Sequence, residues 1–478
     1  MSTRYQESCL AERFPDVLGD LTTRLPALTR RHRVPGAQLA IHHDGVTAAG
    51  EAGELEFRTG RRVTGDAAFP IGSVTKCFTA TVAMILVADG DVELDEPIGD
   101  YVPGLGDLGG ILSLRQLLSH TAGLADSSGA EDPSITTLRR YVAEHVGRHN
   151  LVLPPGAGFS YSNPGYVLAG WLIEMVTGMP WSEAVESILL RPLGIEPVFV
   201  NLPGTTPSGR PFATGHSVNI AAGRTRPVRQ SGSPGEAPAG ALALSAADLV
   251  KLGSIHVGAG VPQLLPAADA EQMRKPVAGA DPTGLADGWG LGLAVYQQAS
   301  ADWVGHDGNA DGTCCYLRIN PADGWVIALT TNASTGVGVW EDLLAELAQA
   351  GVPIDPVGEP PSGPRLVDFA SGCAGAVPLS GCAGTYVNGD VEYTVGTGSS
   401  GAVHVSLDGD NPVPLTVHDD QTFSLPHPDT GRRMFGGRFV REPATGQIYG
   451  IQVGGRLARK QVFPRVTESA DERYAPTG

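Results

Sequence analysis

FPIGSVTKCFTATVAMILVADGDVEL, residues Phe69 to Leu94, is the stretch from which the rest of the chain can be read. Gly72 permits a tight backbone turn into it. From Ser73 to about Asp89 the pattern is helical, with Phe78, Val82, Ile85 and Leu86 at three- and four-residue intervals before Gly90 stops the run. The segment is apolar on nearly every side, which predicts a helix buried in a large core. Ser73 and Lys76 then share one side of the first turn. The serine stands at the positive end of the helix dipole, where an alkoxide or oxyanion is favoured. Desolvation disfavours the charged form of the neighbouring lysine, which can then activate the serine without a histidine beside it. Only four lysines occur among 33 basic side chains, and an arginine at this position could not accept a proton.

At 478 residues the chain exceeds one compact core, so two domains are expected. Its 42% hydrophobic and 18% charged content fits a folded protein. A net charge of −18 argues against nucleic acid or an anionic membrane surface as partner. No stretch has a basic start followed by an apolar run or an apolar span of membrane length, so a cytoplasmic protein is expected. The six cysteines include no C-x-x-C pair. Free thiols are expected, with Cys77 buried, and a Cys373–Cys382 bridge is the disfavoured alternative. No metal or other cofactor is expected, since His42 and His43 lack ligand spacing and read as a hairpin tip.

Residues 16–33 predict an amphipathic helix interrupted near Pro26, and Asp44-Gly45 marks a hairpin between two short strands. Short helices are expected over Ile111–Leu118 and residues 134–148. His120 between them reads as a hydrogen-bonding residue that fixes its loop. Asn163 reads as a helix N-cap with Pro164 in the first helical position. Tyr161, on the loop leading in, carries a phenol that near a lysine can pass protons to and from a serine oxygen. Residues 201–240 are a long Pro-, Gly- and Ser-rich excursion and a candidate substrate-contacting loop. Ser245 reads as a helix cap. Strands are expected over Trp289–Tyr296, Trp303–Asn309, Thr313–Ile319 and Gly324–Asn332, then a closing helix over Val339–Ala350. The amide just past Gly308 and that of Ser73 can form the two halves of an oxyanion hole.

Ser73-Val-Thr-Lys76, Tyr161-Ser-Asn163 and His306-Asp-Gly308, in this order and with these gaps, resemble the serine β-lactamase and penicillin-binding-protein superfamily. The similarity is greatest to the branch of class C β-lactamases, D-stereospecific peptidases and related esterases, and covers about residues 10–350. It implies an α+β catalytic domain over residues 1–350, with an antiparallel sheet, flanking helices and an all-helical region. It further implies Ser73 as nucleophile, Lys76 as its base, Tyr161 as second proton carrier and Asn163 as a substrate hydrogen-bond donor. His306, Asp307 and Gly308 take the third-motif position, and the amides of Ser73 and Asn309 form the oxyanion hole. β-Lactamases usually carry lysine where His306 stands, so the motif fits esterase, peptidase or acyl-transfer relatives better than β-lactam hydrolysis.

Residues 351–376 read as a linker. Residues 377–468 carry about eight short alternating runs, the last at Val462-Phe463, and predict a small β-barrel. It resembles the lipocalin-like domain appended to several members of the same branch. Residues 469–478 are expected to be a disordered tail. Arg456 either binds a substrate carboxylate or is a solvated barrel charge, the second being the expected reading. The whole resembles the penicillin-binding-protein-type thioesterases of nonribosomal peptide assembly, which release a carrier-bound peptide by head-to-tail macrolactamisation. The substrate would be a peptide or acyl ester or thioester, carrier-bound in that reading. The alternatives are a cytosolic esterase or D-stereospecific amidase, with water as acceptor, and a catalytically silent scaffold. The intact Ser73, Lys76 and Tyr161 argue against the last.

Overall fold

The computed structural model describes residues 19, 23–127, 135–205, 208–258, 264–356, 381–398, 402–418, 420–426, 431, 433–442 and 444–461. Within them the chain is α+β. β1 (Gly36–His43) and β2 (Val46–Gly53) form the expected hairpin, turned by Asp44 and Gly45 at positive φ. β3 (Phe69–Pro70) leads to Ser73. β4 (Gly215–Asn219) and β5 (Arg224–Val228) make a separate hairpin, and β6 (Ala243–Leu244) pairs with β3. β7 (Gly288–Trp289), β8 (Ala294–Gln297), β9 (Asp302–Ala310), β10 (Thr313–Asn320) and β11 (Trp325–Thr331) complete an antiparallel sheet with the order β2-β1-β11-β10-β9-β8-β7.

β10 and β11 are buried along their whole length, because the sheet is covered on both faces. Their side chains alternate between two cores. Cys315, Leu317 and Ile319 join the core of the Thr75–Ala88 and Asn163–Thr177 helices. Cys314 and Tyr316 join the core of residues 23–31 and the Gly336–Gln349 helix. Every residue from Thr75 to Leu86 is buried, as the all-round apolar pattern requires.

Beyond this sheet, β12 (Gly384–Asn388), β13 (Val391–Thr397), β14 (Val403–Leu407), β15 (Val413–Val417), β16 (Thr422–Pro426), β17 (Arg433–Arg441), β18 (Ile448–Val453) and β19 (Arg456–Lys460) close into an antiparallel barrel. It is fastened to the catalytic part by polar contacts. Tyr161 N–H donates to Gly455 O at 3.0 Å, Asp126 N–H to Asn388 Oδ1 at 2.6 Å, and Arg438 pairs with Asp281 at 2.6 Å.

Several local expectations are corrected. The described helical residues 23–31 run through Pro26 without interruption. A single 3-10 turn, Gly72–Val74, precedes the nucleophile helix, which begins at Thr75. The Ile111–Leu118 helix is shorter, Leu114–Leu118, because Ser113 closes a capping box with Gln116. The 134–148 helix is Leu138–His145, capped by Thr137. Trp289–Tyr296 is two strands, bent at Gly292 with φ 83°. The barrel's last strand is Arg456–Lys460, preceded by a Gly454-Gly455 turn at positive φ, while Val462-Phe463 lies outside the described residues. Residues 351–356, read as the start of a linker, pack down: Val352 and Ile354 are buried, and Trp303 Nε1 donates to Pro353 O at 2.8 Å. Cys9, Cys373, most of the expected linker and the 469–478 tail lie outside the described residues. Among the described residues, Cys77, Cys314, Cys315 and Cys382 form no disulfide with one another.

Candidate active site

Ser73 sits in the turn that opens the buried helix. Two glycines let β9 press against that turn. Gly72 has φ 50°, and a Cβ there would lie 2.2 Å from Asn309 O; a Cβ on Gly308 would lie 2.0 Å from Ile71 O. The backbones of Ser73 and Asn309 are thereby brought side by side. β8 pairs with β9 only as far as Gly305, so among the described residues the His306–Ala310 end has no strand neighbour on that side.

Lys76 is fully buried. Its Nζ donates to Ser73 Oγ at 3.0 Å and to Ala239 O at 2.8 Å. Burial lowers its pKa to about 7; Asp126 opposes this and Arg456 adds to it. Tyr161 shares a cavity wall with Ser73, and burial pushes the phenol well above its usual range, with Ser73 opposing the shift. Lys76 Nζ is 5.1 Å from the Tyr161 ring centre. The serine oxygen thus accepts from an amine that is readily neutral and shares its cavity with a phenol that stays protonated, an arrangement able to take a proton and return it.

His306 is buried, and burial with Lys76 nearby lowers its pKa to about 4. Its Nδ1 is 2.5 Å from Asp307 O, and its Nε2 has no hydrogen-bond partner among the described residues. Its ring centre is 6.3 Å from that of Tyr161 and 5.2 Å from that of Trp289. His120, at φ 57°, accepts the Ser162 N–H at 3.1 Å and stacks on Tyr161 at 4.2 Å, so it holds the Tyr161 loop.

Asn163 is not the helix cap. Ser162 caps the helix through a bond from Gly165 N–H, and Asn163 is the first helical residue with Pro164 second. That frees the Asn163 side chain to line the cavities at Ser73. Asp307 turns its carboxylate onto buried Arg318, 2.5 Å away, whose guanidinium lies 3.9 Å from the Tyr296 ring centre.

The expected reading of Arg456 as a solvated charge is overturned. Its guanidinium lies 4.9 Å from the Tyr161 ring centre and pairs with buried Asp126. The Gly454-Gly455 turn delivers it there. Asp126 was not singled out from sequence. Its Oδ1 also accepts the Asn163 N–H at 2.7 Å, so one carboxylate ties together the second motif and the barrel. Its only sequence signal is an acidic residue just past the Ser119–Leu124 loop.

Ser73 lies on the walls of two cavities. One, about 530 Å³, runs along Gln230–Ser233, Glu236 and Ala239–Ala241, so part of the 201–240 excursion does border the site. The other, about 290 Å³, is lined by Tyr161, Trp289, His306, Asp307 and Arg456.

The family described as beta-lactamase matches residues 19–351. Penicillin-binding protein 4 of Amycolatopsis lactamdurans is 35% identical over 73% of this chain and 94% of its own. Among solved structures, SurE superposes with a TM-score of 0.81 at 38% identity, covering 94% of this chain and 99% of that one. The D-amino acid amidase of Ochrobactrum anthropi SV3 superposes with a TM-score of 0.59 at 28% identity, covering 69% and 98%. Among the described residues no helix is long and apolar enough to cross a membrane. The chain is a serine hydrolase or acyltransferase, and it belongs to the β-lactamase family within the serine β-lactamase and penicillin-binding-protein superfamily.

Proposed function

We propose that the protein takes a peptidyl group from a carrier-bound thioester onto Ser73 and releases it by head-to-tail amide formation. The observation that carries this reading is the position of Ser73 on the walls of two cavities, which gives donor and acceptor segments separate room. The likeness to SurE, which spans the barrel as well as the catalytic part, supports it, as does a SurE structure described as containing D-Leu.

In this mechanism neutral Lys76 accepts the Ser73 Oγ proton as Oγ bonds to the thioester carbon. The Ser73 and Asn309 amides hold the resulting oxyanion. Collapse breaks the C–S bond, and the leaving thiolate takes a proton through Tyr161 and Lys76. Asn163 holds a substrate amide, and Arg456 faces the acyl chain in the smaller cavity. The neutral amine at the far end of the peptide then attacks the ester. Its proton passes to Lys76, the C–O bond breaks, and Ser73 Oγ is reprotonated.

Hydrolysis is the second reading, favoured by the likeness to the D-amino acid amidase, which covers 69% of this chain. A peptidyl thioester ending in a D-residue separates the two. A cyclic product by mass spectrometry supports the cyclase, and linear acid alone overturns it in favour of the hydrolase.

A further inference from the structure

The chain carries 51 acidic against 33 basic side chains, so a cluster of unpaired arginines is out of keeping with its overall charge. Such a cluster stands on the β4–β5 hairpin. Arg224 and Arg226 pair in register with exposed Asn219 and Ser217, which places all four on the outward face. Arg33 reaches the hairpin turn: a Cβ on Gly223 would lie 3.2 Å from its Nη1. Arg229 follows the second strand. Arg58 is joined to the hairpin through Phe57, whose N–H donates to His216 Nε2 at 3.1 Å. All five arginines are exposed, and among the described residues none has a carboxylate within ion-pair distance. Phe57 and Ile220, each 38% exposed, add apolar surface beside them.

The hairpin runs straight into the wall of the larger cavity. Three residues, Pro227 to Arg229, lie between Arg226 and Gln230, a span of no more than about 14 Å, and Gln230 lines that cavity with Ser73. We propose that the β4–β5 hairpin is the docking surface for an acidic carrier domain, which presents its acyl thioester to Ser73 along this groove. The proposal rests on the thioesterase reading above. Charge complementarity chooses this occupant: an anionic protein gains from the patch, and steering raises its on-rate in a salt-dependent way. A folded carrier with a flexible acyl arm also needs a surface at the cavity mouth rather than inside it.

The test compares two donors bearing one D-Leu-terminated peptide: an acidic carrier domain loaded with it as a thioester, and its N-acetylcysteamine thioester. With Arg224→Glu/Arg226→Glu, kcat/KM for the carrier-bound donor should fall at least about tenfold, the order expected when a steering patch is reversed. The small thioester should be processed within about twofold of the parent rate, which also reports folding. Arg224→Lys/Arg226→Lys should keep most of the carrier-bound rate, and 0.5 M salt should bring the parent towards the reversed variant. An unchanged carrier-bound rate in the reversed variant overturns the docking surface while leaving the thioesterase reading intact. Equal losses on both donors also overturn it, since the hairpin would then act on the site itself. A parent protein inactive on both donors overturns the thioesterase reading and the docking surface with it.

Discussion

Arg456, on the last barrel strand, holds its guanidinium carbon 4.9 Å from the centre of the Tyr161 ring. The barrel is therefore part of the active-site wall and not an appendage. Asp126 fixes the arrangement by meeting Arg456, the Asn163 amide and Asn388 at once. Lys76 feels both charges, with opposite signs: Asp126 raises its pKa and Arg456 lowers it. Rate against pH should then separate the two. Asp126→Asn is expected to shift the Lys76 limb of the kcat/KM profile to lower pH, and Arg456→Gln to higher pH. Both should also lower kcat/KM, Asp126→Asn by roughly 100-fold because it loosens Asn163 as well. Shifts of the same sign in both variants would refute this electrostatic assignment.

The parent pH profile follows from the same group. Lys76 must be neutral to accept the serine proton, so kcat/KM should rise with pH through about 7. His306, lowered to about 4, is already neutral across this range and should contribute no limb near the ordinary histidine value. A profile flat from pH 5.5 to 8.5 for the chemical step would exclude Lys76 as the base.

Ser73→Ala should stop turnover, with kcat reduced about 10⁴-fold or more. Intact-protein mass spectrometry should find a covalent acyl adduct on the parent protein and none on the variant. Residual turnover at a tenth of the parent rate would place the nucleophile elsewhere.

Gly308 and Gly72 test the backbone geometry without touching a titrating group. A methyl group on Gly308 would meet Ile71 O at 2.0 Å, so β9 must move away from the turn that carries Ser73. Gly308→Ala is expected to cost about 1–3 kcal/mol of stability, the range for overpacking, and to lower kcat more than KM changes. Thermal melting and steady-state kinetics measure both. Wild-type kcat in a folded Gly308→Ala protein would show that the Asn309 amide has no part in the reaction.

The sequence made the nucleophile helix readable because its burial, its lysine and the serine in the turn that opens it are local features, three residues apart. The alternating barrel runs were readable for the same reason. Ser162 took the capping role from Asn163 because both residue types cap well and one-residue offsets are beyond a pattern of propensities. Asp126 left almost no trace, since its meaning comes from Arg456 and Asn388, hundreds of residues away in the chain. Arg456 misled for the complementary reason. A charge at a strand end normally faces water, and only the Gly454-Gly455 turn and the closed barrel carry it to Tyr161.

Function and stability are set against each other at Lys76. Its folded pKa of about 7 lies below the unfolded value of 10.5, so between these limits the unfolded chain binds a proton that the folded one does not. Stability should therefore rise as pH increases through this window, and the full cost of the buried amine is carried at and below its lower end. Lys76→Met removes the group while keeping much of its volume. The variant should be inactive and yet more stable, by about 1–4 kcal/mol near pH 6, the range seen when buried charges give way to packed apolar groups. The gain should shrink as the pH approaches 10. Chemical denaturation of parent and variant at pH 6, 8 and 10 measures it, and a variant less stable than the parent at pH 6 would mean that Lys76 is held by its bonds to Ser73 and Ala239 more strongly than its burial penalises it.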